Sequence, residues 1–370
     1  ARHPVRYFQS NGGLALGRVV SDQSVYAINS GPASAPQAAL YLGEPWGMKD
    51  IITVDMGGTS FDITLTRNGR ANVSKNIDFL RYRIGIPMIQ VETLGAGGGS
   101  VGWIDSMGLL QMGPQSAGSE PGPACYDQGG ERPTTTDANL VLGRLNPNRL
   151  LSVDNPIRVE DVRDVFAERI GKATEMDGTE AAGAVLRLAN TKMAGAIRMV
   201  SLAKGHDPRD FALFAFGGAG PLHATALARE LSIPRVLVPA RPGITNALGC
   251  VVADLRHDFV RTINRPVPAL DAAMLEAVLE EQAAEGKAQI AKEAVRPEKI
   301  DLVHSADMQF VGQTHLINVP LPSARISSDE LQALFEKAYF TRFRVDLKEI
   351  RANLVNLNTS VIGRRAPVDL

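Results

Sequence analysis

Asp55-Met56-Gly57-Gly58-Thr59-Ser60 puts two glycines, two hydroxyls and a carboxylate into six residues, and Asp62 adds a second carboxylate just beyond them. A phosphate group needs backbone N–H donors aimed at it from a tight turn with no Cβ in the way, and a carboxylate close by to hold magnesium, usually through water. This run supplies all of them. The bland alternative is a glycine-rich hairpin that binds nothing. A second run, Phe216-Gly217-Gly218-Ala219-Gly220-Pro221-Leu222-His223, follows an apolar stretch and opens a helix, so its backbone can lie flat against a purine ring or a ribose. Alone it carries little weight; beside the first it points to a nucleotide.

The flanking residues say what must position these turns. Ile51, Ile52 and Val54 read as a strand before the first turn, and Phe61, Ile63 and Leu65 alternate as a strand after it. Asn68-Gly69 is a two-residue hairpin signal, because both positions tolerate positive φ, and residues 71–79 are expected to return as a third strand. Residues 31–43 read as a small-residue helix. Residues 180–204 carry the strongest helical stripe, through Val185, Leu188, Ala189, Met193, Ala196, Ile197 and Val200, with Gly205 as its stop. Residues 211–216 form a short apolar strand, a helix with Pro221 in its first turn follows, and residues 235–239 make the next strand. Strand, glycine turn, helix, strand is a nucleotide-binding order in general form. The glycine- and proline-rich segment 80–146 holds Trp103, Ile104, Leu109, Leu110 and Tyr126, enough apolar mass to pack. Beyond about residue 261 the pattern changes to helix 270–295, strands 300–310 and 315–319, helix 329–343 and strand 354–362. The expected organisation is an α/β lobe over 1–262 and a small α+β domain over 263–370.

At 370 residues, 44% hydrophobic and 21% charged, the composition is that of an ordinary globular protein. A net charge of -1 argues against a nucleic-acid surface. No apolar run is long enough to span a membrane. Cys125 and Cys250, the two cysteines, cannot build a disulfide framework and fit a reducing cytoplasm.

The two glycine turns together resemble those of the actin and sugar-kinase type of ATPase, whose core is ribonuclease H-like. The runs QSNGGL at 9–14, DMGGTSFDI at 55–63, LGAGGGSVGWID at 94–105, GPQSAGSEPGPACY at 113–126, TTTDANLVLGRL at 134–145, DPRDFALFAFGGAGPLHA at 207–224 and QFVGQTHLINV at 309–319 are similar, in collinear order, to the hydantoinase A and 5-oxoprolinase family. That family includes ATP-binding subunits of acetone and acetophenone carboxylases and of caprolactamase. The resemblance implies an actin-like ATPase lobe that uses ATP and Mg2+, with Mn2+ as an alternative, to phosphorylate the carbonyl oxygen of a small cyclic amide such as a hydantoin, 5-oxoproline or a lactam. It implies that Gly57, Gly58, Thr59 and Ser60 contact phosphates, that Asp55 holds the metal with Asp62 orienting it or the attacking oxygen, and that Gly217, Gly218 and Ala219 face the nucleoside. Family members are about twice this length and carry a first lobe with its own phosphate turn. The chain thus resembles the second half of such a subunit, with the first lobe and a hydantoinase B-type subunit as expected partners. A carboxylase subunit and a regulatory subunit that keeps the fold are the rival readings.

Four further residues have two readings each. Asp137 is a carboxylate near the phosphates or a helix N-cap. Glu92 faces the site or is a solvated strand-end residue. Cys125 is a nucleophile or metal ligand, or a buried small side chain. His223 touches the nucleotide or only packs. His206, His257, His304 and His315 have no partner at metal-ligand spacing, so no zinc site is expected.

Overall fold

The computed structural model describes residues 4–74, 77–79, 81–150, 153, 158–347 and 350–368, apart from the side chains at 77–79 and 83. The chain divides into two compact units, Asn29–Val252 and a second made of Ala1–Ile28 with Ala253–Leu370. Strands β1 (Arg6–Phe8) and β2 (Leu14–Leu16), which pair antiparallel, belong to the second.

In the unit 29–252, helix α1 (Ala35–Gly43) precedes strands β3 (Ile51–Met56), β4 (Phe61–Arg67) and β5 (Arg70–Ala71). Strand β6 (Glu92–Leu94), the hairpin β7 (Ser100–Ile104) and β8 (Leu110–Ser116), and helices α2 (Thr135–Val141) and α3 (Gly178–Leu202) follow. Strand β9 (Ala212–Phe216), helix α4 (Gly220–Leu231), strand β10 (Arg235–Leu237) and helix α5 (Thr245–Val252) complete it. The central sheet runs β6-β4-β3-β9-β10, with β5 beside β4. β3 and β9 are parallel with Phe216 level with Asp55, and β3 and β4 are antiparallel with Asp55 opposite Asp62.

Both faces of this sheet are covered, which is why β3 and β9 read as unbroken apolar runs. Strand alternation splits their side chains: Ile52, Val54, Met56, Leu213 and Ala215 join the core beneath α3, while Ile51, Phe214 and Phe216 pack with Ala35 and Ala39 of α1. Helix α3 starts on a capping box in which Asp177 Oδ1 accepts from the N–H groups of Thr179 and Glu180, both at 2.8 Å, and Glu180 accepts from Asp177 N–H. Of its expected stripe, Val185, Ala189, Met193 and Ile197 are buried and Leu188, Ala196 and Val200 are half-buried against the same core. The Asn68-Gly69 turn has φ of 52° and 72°, the doubly positive form that matches strand twist. The single third strand expected over 71–79 is broken up. After β5, residues 73–74 pair with 88–89 and residues 77–79 with 82–84, and residues 75 and 76 lie outside the described set.

The second unit adds strand β11 (Leu255–Pro266), helix α6 (Ala272–Ala291), strands β12 (Lys299–Phe310) and β13 (Ile317–Leu321), helix α7 (Ser328–Phe343) and strand β14 (Ala352–Arg364). Its sheet runs β1-β2-β11-β14-β12-β13. The division expected at 262 falls inside β11, which pairs with β14 from Leu255 to Pro266 and takes β2 on its other side through Leu255 and Leu14. The compact units divide at 252/253, with residues 1–28 in this one. Among the described residues no helix is long and apolar enough to cross a membrane.

Candidate functional site

Because β3 and β9 run parallel and in register, the chain leaves both at the same end of the sheet, and the two glycine turns leave there together. The first turn, residues 57–60, is closed by Gly57 N–H donating to Ser60 O at 3.2 Å. The N–H groups of Gly58 and Thr59 have no protein acceptor among the described residues, and both residues are exposed. A Cβ built on Gly57 or Gly58 meets nothing within 4 Å. The turn is therefore exposed and carries two backbone donors that no described residue engages, which an anion site requires.

The second turn is tied to the first strand. Ala219 N–H donates to Met56 O at 2.9 Å, and Gly217 N–H donates to Pro242 O at 3.1 Å. Gly217 has φ +83°, and a Cβ there would lie 2.2 Å from Asp55 Oδ1 and 2.6 Å from Met56 O, so only glycine fits. Gly218 is exposed, with nothing within 4 Å of its Cβ position. Helix α4 begins at Gly220 with Pro221 in its first turn, and its positive end lies at this edge.

Between the turns sits Asp55. Its Oδ2 accepts from Asn246 Nδ2 at 2.8 Å. Burial pushes the Asp55 carboxyl pKa up, the Asn246 hydrogen bond pulls it back, and the Asp62 charge pushes it up again. Asp62 is held separately: Thr93 Oγ1 donates to its Oδ1 at 2.6 Å, and Ser60 Oγ lies 3.5 Å from its Oδ2. The sequence reading missed Asn246 and Thr93. Neither belongs to a local motif; each reaches the site through pairing or packing with a distant segment.

Residues 97–99 back the phosphate-type turn. Gly98 N–H donates to Gly57 O at 2.9 Å and Gly99 N–H to Gly58 O at 2.7 Å. On its far side this strap is held by Thr136, whose N–H and Oγ1 both donate to Gly98 O, at 2.8 and 2.9 Å. A Cβ on Gly97 would lie 2.4 Å from Gly58 O and 2.5 Å from Thr59 N, both backbone atoms that cannot swing aside. Gly97→Ala should lower stability by about 1–3 kcal/mol, the usual cost of overpacking, measured as a drop in denaturant midpoint. An unchanged midpoint would mean that the strap is slack.

Asp137 stands behind the strap, and its carboxylate is used up there. It is the third residue of α2, in a capping box with Thr134 as the N-cap. Its Oδ1 accepts from Cys125 N–H at 2.8 Å, and its Oδ2 from Thr134 N–H, Thr134 Oγ1 and Ala124 N–H at 2.9, 2.7 and 3.2 Å. It is fully buried. The catalytic reading of Asp137 gives way to a structural one, and even the N-cap alternative is displaced by three positions. Asp137→Ala strands several buried donors and should cost roughly 3–5 kcal/mol, with turnover per folded molecule of the complete enzyme retained. Chemical denaturation alongside an activity titration checks both halves of that expectation.

His223, expected near the nucleotide, is fully buried on α4. Its Nδ1 is 2.7 Å from Asn190 Oδ1 and its Nε2 is 3.4 Å from Asn139 Nδ2. Burial, followed by the nearby Arg144, holds its pKa down to about 4, so the ring is neutral near pH 7 and joins helices α2, α3 and α4. It packs and does not face the turns. Cys125 is buried too, and burial with the adjacent Asp137 pushes its thiol pKa up, away from thiolate chemistry. Glu92 is exposed and accepts from Gln90 Nε2 at 2.6 Å, as a solvated strand residue does. Among the described residues no group of three or more His, Cys, Asp or Glu side chains could hold a metal ion alone. Magnesium bound with phosphates needs only one or two carboxylates, its other ligands being phosphate oxygens and water. Asp55 and Asp62, level on neighbouring strands, fit that requirement.

An α/β lobe with two glycine turns converging on one carboxylate, joined in the chain to an α+β unit, is the class defined so far. The hydantoinase/oxoprolinase family profile matches residues 1–259, and the chain belongs to that family. It is 43% identical to caprolactamase subunit alpha of Pseudomonas jessenii over 374 aligned positions, 98% of this chain and 53% of that protein. The crystal structure of ATP-dependent caprolactamase from the same organism matches with a TM-score of 0.86 at 41% identity, over 98% of this chain and 54% of that one. Nucleotide-free acetone carboxylase matches with a TM-score of 0.74 at 26% identity, over 98% of this chain and 53% of that one. 5-Oxoprolinase 1 of Arabidopsis thaliana is 36% identical over 273 positions, 69% of this chain and 21% of that protein. The chain spans about half the length of the caprolactamase subunit it matches.

Proposed function

We propose that this chain supplies the actin-like phosphate-gripping half of an ATP-dependent cyclic-amide hydrolase. The observation that carries the reading is the convergence of the 57–60 and 217–220 turns on Asp55 at one end of β3 and β9. Bound ATP with Mg2+ or Mn2+ would supply the phosphoryl group that turns an inert amide oxygen into a leaving group. The N–H groups of Gly58 and Thr59 bind and orient phosphate oxygens. Asp55, with Asp62 beside it, holds the metal, and the open face of Gly217, Gly218 and Ala219 accommodates the nucleoside. Helix α4 adds its positive end toward the same edge.

The likeness to caprolactamase, at 41–43% identity over nearly the whole chain, favours the hydrolase. A ketone carboxylase subunit is the second reading, supported by the likeness to acetone carboxylase at 26% identity. The complete enzyme would also need a lobe that grips the phosphates from the other side and a hydantoinase B-type subunit, because in-line transfer requires both ends of the reacting group to be fixed. The test is ADP release by that assembly against a panel of 5-oxoproline, hydantoin and caprolactam, with acetone plus bicarbonate as the contrast. ADP release that depends on a cyclic amide supports the hydrolase; dependence on ketone and bicarbonate alone overturns it.

A further inference from the structure

We propose that Asn246 is a positioning residue: it fixes the direction in which the Asp55 carboxylate leaves β3. The inference rests on the reading of Asp55 as the metal-holding carboxylate. It adds that a residue touching neither nucleotide nor reacting atoms sets that group's geometry. Asp55 is restrained on two of its oxygens in different ways. Oδ2 accepts from Asn246 Nδ2 at 2.8 Å, and Oδ1 lies where a Cβ on Gly217 would come within 2.2 Å. Glycine at 217 only leaves room; it offers Oδ1 no donor. The Asn246 amide is thus the side-chain donor that decides the carboxylate's rotation.

Asn246 is itself firmly placed. It lies in the first turn of α5, and Ser34 Oγ is 2.9 Å from its carbonyl oxygen and 3.3 Å from its Oδ1. Ser34 is fully buried, and one turn further along α5 a Cβ on Gly249 would fall 2.2 Å from Ser34 O. Helix α5 therefore meets the residues that open α1 at backbone distance, and a shift of Asn246 would have to move that contact as well. An amide at this position also has only one favourable orientation. The ionised carboxylate accepts and does not donate, so Nδ2 must face Asp55 and Oδ1 must face away. A carboxylate loosened by loss of this donor would no longer be pre-organised for the metal.

The experiment uses the complete enzyme with Asn246→Leu, which keeps bulk and removes the donor, and Asn246→Ala, which removes the donor without adding any other group. Manganese(II) binding in the presence of ADP is followed by electron paramagnetic resonance, which needs no turnover, together with kcat, KM and the melting midpoint. Both variants should bind manganese about ten- to hundred-fold more weakly, as loss of a hydrogen bond to a charged group implies, with KM for the cyclic amide unchanged. In an Asp55→Asn background the Asn246→Leu effect should vanish, because the residue acts only through Asp55. Wild-type manganese affinity in folded Asn246→Leu or Asn246→Ala overturns the proposal, as does an undiminished Asn246→Leu effect in the Asp55→Asn background. If the unsubstituted enzyme binds no manganese with ADP, the metal-holding reading of Asp55 fails first and takes this inference with it.

Discussion

Asp55→Asn should lower turnover of the complete enzyme by roughly a hundred-fold or more while weakening nucleotide binding less. The substitution keeps the size of the side chain, and an amide oxygen can still accept the 2.8 Å bond from Asn246. What it removes is the negative charge that, on the proposed reading, would hold the metal as charge builds on the transferring group. The folded state loses little, since burial and the neighbouring Asp62 both work against an ionised Asp55 and the neutral amide relieves that opposition. Steady-state kinetics and a melting curve on the same preparation check the prediction. A variant that unfolds yet keeps its turnover per folded molecule would make Asp55 an ordinary strand-end residue.

Gly58→Val should abolish nucleotide binding in the complete enzyme, by about a hundred-fold or more, and leave the fold intact. The space around the Gly58 Cβ position is empty to 4 Å, so the protein itself does not resist the new side chain. On the proposed reading, that space is where a phosphate approaches the N–H groups of Gly58 and Thr59. A branched side chain there excludes two charge-assisted donors at once. Calorimetric titration with ATP measures the loss; unchanged affinity would make the turn purely structural. The contrast with Gly97, whose Cβ would strike backbone at 2.4 Å, is a useful internal control. Substitution behind the turn should cost stability, and substitution in front of it should cost binding.

Local chemistry made the front of the site legible in the sequence. The Asp55–Ser60 turn, the strands around it and the 217–220 turn are all written in contiguous residues, and the structure brings the two turns to one sheet edge. Helix α3 was legible because its apolar stripe is a local signal, although the capping box at Asp177 and Glu180 that starts it was not read. The rest depends on partners far away in the chain. Asn246 meets Asp55 across a separation of 191 residues, and Thr93 meets Asp62 across 31. Asp137 looked available because a carboxylate at a helix start can cap or catalyse, and only packing shows four donors converging on it. His223 follows a glycine turn in sequence, but one turn into α4 it points into the core, between Asn139 and Asn190. The division into compact units at 252/253 was not legible for a similar reason. Composition shifts near residue 262, but β11 runs through that point and recruits β2 from the other end of the chain.

In the proposed reaction, phosphate held at the Asp55–Ser60 turn activates a cyclic amide through its carbonyl oxygen. Isotope transfer tests it most directly: the complete enzyme is given unlabelled ATP, ordinary water and a cyclic amide carrying oxygen-18 in its carbonyl. If that oxygen is phosphorylated, a first water adds to the carbon as the ring C–N bond breaks, leaving an acyl phosphate, and a second water attacks the acyl carbon and expels phosphate. One labelled oxygen then appears in the inorganic phosphate for each ring opened, both carboxylate oxygens coming from water. Label retained entirely in the carboxylate of the opened product, with phosphate released unlabelled, would mean that the carbonyl oxygen is not the leaving group, against this mechanism.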